Sequence, residues 1–367
     1  MKLKVLQAKR ILIISPEPWN HIPVSKHHYS LELASLGNLI FFLNPPSNEN
    51  SISSPSDHEN LRIINYRGFP GLNRLPTSLS SPLNQVLIRK ILKMCGGGFD
   101  IVWTFDPFRF QNLNLFGPAI KIYHAVDIHK SPLERMTAIS CHVILSVSDL
   151  ILERFEFAGK PKFKVNHGLA SHFLSGIKPN IRGRLPLRLT AGYIGNLDNW
   201  CVDKSTLLDI VESHPGVDFY FIGPYKPDSP IVSSLKKFNN CQLIGKVPSS
   251  ALPDHLNRCD FFLMCYDGSN RAVNSNHHKI IEFLATGKPV VMNYTNEYSD
   301  KQDLVVMSNS NSELPVLFAQ VVERIQDFNT DELIQKRMTF ARSNSYRNHV
   351  IYIDNILDKI VNVPNII

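Results

Sequence analysis

A short segment near residue 280 carries polar side chains that could bind a nucleotide. Residues 277–285 read His-His-Lys-Ile-Ile-Glu-Phe-Leu-Ala. At 100° per residue, His278, Lys279, Glu282 and Thr286 share one arc of a predicted helix, and apolar side chains fill the rest. A carboxylate one turn into this helix can accept hydrogen bonds from ribose hydroxyls. The segment therefore predicts a nucleotide site, with an ordinary solvated face as the alternative.

The loop before this helix adds groups that suit phosphates. Arg271, Asn274 and Ser275 precede the predicted helix start. The first N–H groups of a helix have no partner within it, and the helix dipole is positive there. We therefore expect the phosphates of a nucleotide at this end of the helix and its ribose at Glu282.

Strands must hold this helix in place. Residues 260–267 form an apolar run typical of a parallel strand buried on both faces, and Gly287 separates the helix from a second buried strand at 289–291. Apolar runs and helical patterns alternate along the whole chain, which predicts a parallel α/β architecture. Further strands are predicted at residues 10–15, 39–43, 100–105, 120–124, 143–146, 163–165, 189–194, 218–222 and 241–245.

The segment also resembles a motif of retaining glycosyltransferases with the GT-B fold, K-x-x-E-Y-L-A-x-G-x-P-V-V. The matching residues are Lys279, Glu282, Phe283 in place of Tyr, Leu284, Ala285, Gly287, Pro289, Val290 and Val291. The resemblance implies an α/β GT-B architecture, in which two Rossmann-like, doubly wound parallel-sheet domains face a central cleft. We expect an N-terminal acceptor-side domain at 1–178, a linker at 179–188, a donor domain at 189–344 and a C-terminal helix at 345–367 that crosses back.

The resemblance also implies a binding site for a nucleotide-diphosphate sugar. Gly195 and Asn196 match the turn where backbone approaches the phosphates, and Gly223 matches a strand end that lines the nucleoside pocket. Lys246 and Val247 lie in the segment whose backbone contacts the base.

Two positions depart from the family pattern. Many retaining members have a glutamate eight residues before the one that matches Glu282, and this chain has Asn274 there. An amide can still hydrogen-bond a sugar hydroxyl. Asn196 also stands where an arginine is common, so we expect Arg271 and Lys279 to neutralise the diphosphate leaving group.

The first domain offers two candidates for contact with the acceptor. His124 and Asp127 lie at the carboxyl end of a predicted strand, where ligands bind in open α/β sheets. Either could contact a sugar or acceptor hydroxyl, or simply cap the following turn. Weaker similarities in this domain point to a bacterial cell-surface polysaccharide branch of the family.

Charge is distributed unevenly between the two halves of the sequence. Residues 1–184 hold 22 Lys or Arg against 12 Asp or Glu, whereas residues 185–367 hold 17 against 20. The first half therefore favours an anionic partner. Residues 86–95 could form a basic amphipathic helix on anionic lipid, or an ordinary helix packed on the core. The sequence lacks the alternation of basic and aromatic residues that would indicate binding to nucleic acid.

Several other classes of protein are not supported. The chain has no G-x-G-x-x-G, no P-loop, no Asp-x-Asp and no C-x-x-C, and its six cysteines are scattered. We expect a cytoplasmic protein with no metal or cofactor, and peripheral binding at the inner face of the membrane is the alternative location. The predicted function is metal-independent transfer of a sugar from a nucleotide-diphosphate donor to a lipid-linked or surface-polysaccharide precursor, and the family resemblance implies that the configuration is retained. A nucleotide-sugar epimerase and a degenerate, non-catalytic binding subunit stay open as alternatives.

Overall fold

The computed structural model describes residues 3–129, 131–178 and 186–362, apart from the side chains of Thr77, Asn270 and Arg271. The chain forms two compact units. The first comprises Met1–Asn166 with Tyr346–Ile367, and the second comprises His167–Ser345. Most of the predicted linker, residues 179–185, lies outside the described residues.

The first unit is built on an eight-stranded sheet with the order β3-β4-β2-β1-β5-β6-β7-β8. Every pairing in it is parallel except that of β3 with β4. Its strands are β1 Arg10–Ile14, β2 Leu39–Leu43, β3 Ser51–Ser53, β4 Leu61–Asn65, β5 Ile101–Thr104, β6 Ile120–Ala125, β7 Val143–Ser146 and β8 Lys162–Lys164. Its first four helices are α1 Ser25–Ser35, α2 Thr77–Met94, α3 Pro132–Ser140 and α4 Asp149–Glu153.

The second unit contains a six-stranded, wholly parallel sheet with the order β11-β10-β9-β12-β13-β14. Its strands are β9 Thr190–Ile194, β10 Asp218–Ile222, β11 Cys241–Gly245, β12 Phe261–Met264, β13 Val290–Met292 and β14 Val306–Met307. Its helices are α5 Ser171–Gly176, α6 Lys204–Ser213, α7 Pro230–Leu235, α8 Leu252–Arg258, α9 Asn270–Val273, α10 Lys279–Ala285, α11 Leu314–Glu323 and α12 Asp331–Ser343.

The last helix, α13 Tyr346–Val361, packs on α1 in the first unit. The Tyr346 ring stacks on His28 with ring centroids 4.9 Å apart. The Asp354 carboxylate accepts hydrogen bonds from the backbone N–H groups of Lys4, Val5 and Leu6 at 2.7–2.8 Å. These contacts join the two ends of the chain within one unit.

The structure differs from the sequence-based expectation on one side of the first sheet. The sequence pattern indicates no strand in residues 47–60, yet Ser51–Ser53 is an edge strand paired with β4. An edge strand buries little, so Ser-Ile-Ser lacks the apolar run that marks a central strand.

None of the helices in the described ranges is both long enough and apolar enough to cross a lipid bilayer.

Candidate functional site

Three strands of the second unit end in glycines at adjacent positions. Gly195 donates its N–H to the Ile222 carbonyl at 2.9 Å, and Gly223 donates its N–H to the Gly245 carbonyl at 2.9 Å. Gly223 has φ +137°, and a Cβ there would lie 2.1 Å from the Gly195 carbonyl oxygen. Only glycine fits such an approach. The carboxyl edge of this sheet, where ligands of open α/β sheets bind, therefore presents bare backbone.

The turn after Gly195 is held by its own side chains. The Asn196 side-chain oxygen accepts a hydrogen bond from the Asp198 N–H at 2.9 Å, which is a local Asx turn.

Asp203, just before α6, accepts hydrogen bonds from Thr206, Ser205 and Asn311. Burial alone would raise the pKa of Asp203, but these hydrogen bonds outweigh burial and lower it.

Helix α10 brings the two principal candidates into contact. The Lys279 Nζ lies 2.8 Å from Glu282 Oε2, and the two side chains are 21% and 13% exposed. Phe283, one turn after Lys279 on the neighbouring part of the helix surface, stacks on Phe262 of β12 at 4.3 Å with an interplanar angle of 5°. This packing fixes α10 on the sheet and leaves the ion pair partly exposed.

One member of the predicted polar arc does not belong to it. Thr286 is fully buried, and its hydroxyl donates to the Phe283 carbonyl at 2.6 Å. A threonine can satisfy its hydroxyl on a preceding carbonyl of its own helix, so it needs no solvent. Gly287 follows with φ +75°, and a Cβ there would lie 2.8 Å from Ile334 of α12. This glycine therefore ends α10 and also leaves room for α12.

The segment before α10 is short and partly helical rather than a plain loop. Arg271 lies in α9, and its side chain is outside the described part of the chain. Asn274 is half-buried, and its amide oxygen accepts from the Asn296 side chain at 2.6 Å. Ser275 is also half-buried, whereas His278 is exposed.

Two histidines pack around this segment in neutral form. The His277 ring stacks on Tyr266 at 4.3 Å, and His167 Nε2 lies 2.9 Å from the Asn276 carbonyl oxygen. Burial lowers the pKa of each imidazole to about 4. Both rings therefore act near pH 7 as uncharged packing and hydrogen-bonding groups.

Sequence reasoning missed one neighbour of the ion pair. His172 of α5 has its Nε2 3.1 Å from the Ser249 hydroxyl, and α5 packs on α10. The pKa of His172 is lowered mainly by burial, and the positive charge of Lys279 lowers it further. His172 therefore contacts the segment after β11, where Lys246 is exposed and Val247 half-buried, and lies near enough to Lys279 to be affected by its charge. No local pattern reports such a long-range contact.

The two candidates in the first unit lie in different surroundings. His124 is 1% exposed, and its ring stacks on Phe105 at 4.9 Å and on Trp103 at 6.0 Å. Asp127 is exposed, two residues beyond the end of β6. The structure thus places His124 in the core and Asp127 at the carboxyl edge of the sheet, and their contact with an acceptor stays a prediction.

No protein-family model and no curated protein matches the sequence. Solved structures do match in fold. A sucrose-phosphate synthase from Thermosynechococcus elongatus is 12% identical, with 96% of this chain and 99% of that chain covered and a TM-score of 0.68. HepE from Anabaena, determined with UDP and glucose, is 13% identical, with 96% of this chain and 100% of that chain covered and a TM-score of 0.63.

A third similar structure is WaaG, a glycosyltransferase involved in lipopolysaccharide biosynthesis. It is 11% identical, with 94% of this chain and 99% of that chain covered and a TM-score of 0.64. Similarity over nearly the whole of each chain covers both units. The expected GT-B fold, with two Rossmann-like α/β domains, is therefore confirmed.

Proposed function

We propose that this protein is a glycosyltransferase that moves a sugar from a nucleoside-diphosphate donor to an acceptor hydroxyl. The observation that carries the proposal is the approach of Gly223 to Gly195 within the second unit, where a Cβ would lie 2.1 Å from a carbonyl oxygen. Backbone exposed in this way suits close contact with a nucleotide. The Lys279–Glu282 pair on α10 adds one cation and one carboxylate.

The chemistry assigned to these groups follows from what the reaction needs. Breaking the sugar–phosphate bond leaves negative charge on the departing diphosphate, so a fixed cation lowers the barrier. Lys279 supplies this charge and Arg271 adds a second. Glu282 accepts hydrogen bonds from the ribose hydroxyls, and the backbone at Lys246 and Val247 contacts the base. Asn274 contacts the donor sugar. We infer metal-independent transfer with retained configuration.

The first unit carries features that suit an acceptor at an anionic membrane surface. Between Glu59 and Asp100 the sequence has six Lys or Arg and no Asp or Glu. On α2, Leu87, Ile88 and Ile91 are buried in the core. The opposite arc of about 100° bears Leu79, 58% exposed, and Val86, 52% exposed, followed by exposed Arg89, Lys90 and Lys93.

Apolar side chains followed by cations, with no acids, favour the surface of an anionic bilayer. This outward arc of α2 supports a lipid-linked or surface-polysaccharide precursor as the acceptor. Peripheral binding at the cytoplasmic face of the membrane is part of the same proposal.

Calorimetric titration of the full chain with UDP, GDP, ADP and their common sugars tests the donor site. We expect saturable binding of one nucleotide to the wild type and at least tenfold weaker binding to Glu282→Ala. Glu332→Ala is the matched control, because it removes a helical carboxylate paired with Lys336 in α12. The control should bind like the wild type.

Three outcomes would contradict the proposal in different ways. Absence of binding to every nucleotide, with and without anionic vesicles, would favour a non-catalytic binding subunit. Equal binding by Glu282→Ala and wild type would move the donor site away from α10. Interconversion of two nucleotide sugars with no acceptor present would indicate an epimerase.

A further inference from the structure

The first unit contains a cavity of about 640 Å³, open to solvent on one side, beside the carboxyl ends of β1, β2, β4 and β5. Its walls are mainly apolar and are supplied by Pro46, Tyr66, Phe69, Leu72, Leu87 and Phe108. A cavity of this size suits a small organic group rather than a few waters. Neither the donor site nor the outward arc of α2 uses it.

Arg109, a buried cation in the cavity wall, already makes hydrogen bonds to the protein. Arg109 is 8% exposed and donates hydrogen bonds to the Asp106 carboxylate at 2.6 Å, the Asn44 carbonyl at 2.8 Å, the Tyr66 hydroxyl at 3.3 Å and the Ser15 carbonyl. It therefore joins four strand ends of the sheet. Because Asp106 pairs with it and all three of its nitrogens already donate to the protein, Arg109 has little capacity to bind a phosphate.

One polar side chain is nevertheless directed at the cavity. Asn84 of α2 is 4% exposed and lines the cavity. Within the described ranges its amide makes no hydrogen bond to the protein, so its polar atoms are available to a group in the cavity. Asn84 can both donate to and accept from a bound group. The cavity interior is thus mainly apolar, its Asp106–Arg109 pair carries no net charge, and the Asn84 amide can hydrogen-bond a ligand.

The mouth of the cavity has the opposite character. Phe69 is 42% exposed, and Arg74, which also lines the cavity, is exposed. Both lie in the stretch from Glu59 to Asp100 that contains no acidic residue between its ends. An apolar interior with a cationic rim is complementary to a molecule with an apolar chain and an anionic head.

We propose that this cavity binds the apolar chain of an anionic lipid acceptor, with the head group at Arg74. Asn84 hydrogen-bonds a polar atom of the chain or of its junction with the head. The acceptor role rests on the proposed transferase function, whereas lipid binding does not. The chemical class is an alkyl or polyprenyl phosphate, and the cavity orients its head at the carboxyl edge of the first sheet.

Calorimetry with decyl phosphate below its micellar concentration tests the site. We expect one saturable site for decyl phosphate, binding by neutral decyl maltoside about tenfold weaker, and none by inorganic phosphate. Leu72→Trp, which fills the cavity, should abolish binding, and Arg74→Glu should weaken it at least tenfold. Lys93→Glu is the matched control on α2, since Lys93 is exposed and does not line the cavity.

Equal binding by Leu72→Trp and wild type, or saturable binding of inorganic phosphate at Arg74, would overturn the proposal. Decyl phosphate carrying a diazirine at its chain end gives a readout that needs no variant. It should label peptides containing Phe69 or Phe108, and labelling only elsewhere would also overturn the site. The UDP, GDP and ADP titrations report the donor site separately. If lipid binds and no nucleotide does, the cavity assignment stands and the transferase proposal fails.

Discussion

Gly223 lies so close to Gly195 that a Cβ on it would be 2.1 Å from the Gly195 carbonyl oxygen. The two residues follow the paired strands β10 and β9, so the contact is fixed by the sheet register. A side chain at position 223 would separate these strand ends. The fold therefore requires the close approach of Gly223 to Gly195, and the same approach leaves backbone accessible to a ligand.

We expect Gly223→Ala to lower the free energy of unfolding by roughly 2–4 kcal/mol, because φ +137° and the contact with Gly195 are both unfavourable for alanine. The matched control is Gly216→Ala, since Gly216 precedes the same strand and has no atom within 4 Å of an added Cβ. Chemical denaturation measures the free energy of unfolding of both variants. Equal stability of the two variants would contradict the close approach.

Lys279→Met should lower kcat of sugar transfer by about 10²- to 10³-fold, because a fixed cation stabilises the charge that develops on the departing diphosphate. The Kd of the donor nucleotide should change much less. Lys336→Met removes a comparable helical lysine from α12 and should leave kcat unchanged. A loss confined to Kd, with kcat intact, would assign Lys279 to ground-state binding instead.

The central strands could be predicted because burial on both faces leaves an uninterrupted apolar run, as in β10 Asp218–Ile222. Gly223 was predicted only from the resemblance of its segment to the strand end that lines the nucleoside pocket in GT-B glycosyltransferases. Thr286 was assigned to the wrong face because a helical wheel records polarity and ignores the hydroxyl bond to Phe283. His172 could not be found, since its contact with Ser249 joins residues 77 positions apart.

Reversing the cations on α2 should weaken binding to anionic vesicles. Each Lys or Arg near such a surface contributes about 1 kcal/mol. The triple variant Arg89→Glu, Lys90→Glu, Lys93→Glu should therefore partition at least about 10²-fold more weakly in flotation with phosphatidylserine vesicles. Salt should reduce wild-type binding.

The control for vesicle binding reverses two exposed lysines of the second unit, Lys236→Glu and Lys237→Glu. This variant should float like the wild type. If both variants lose binding equally, the attraction comes from net charge. If the wild type does not float even at low salt, the membrane part of the proposal fails.

The His277 imidazole lies near the candidate site, and its titration makes the free energy of unfolding depend on pH. Burial lowers its pKa to about 4, although a hydrogen bond with the Ala272 backbone raises it slightly. Among the described residues, its Nε2 is buried without a hydrogen-bond partner. The unfolded chain, with an ordinary histidine pKa of about 6.5, binds a proton first as the pH falls. Stability is therefore complete above about pH 6.5 and decreases between pH 6.5 and 4.

Replacing the His277 imidazole by a ring that cannot titrate should remove its contribution to the pH dependence of the free energy of unfolding. We expect the wild type to lose about 2–3 kcal/mol more than His277→Phe between pH 7 and pH 4. The phenyl ring keeps the stack on Tyr266, so the two proteins should differ less at pH 7. His21→Phe, at an exposed position of the first unit, is the control. Urea denaturation at each pH measures the difference, and parallel pH profiles for wild type and His277→Phe would show that the ring is solvated rather than buried.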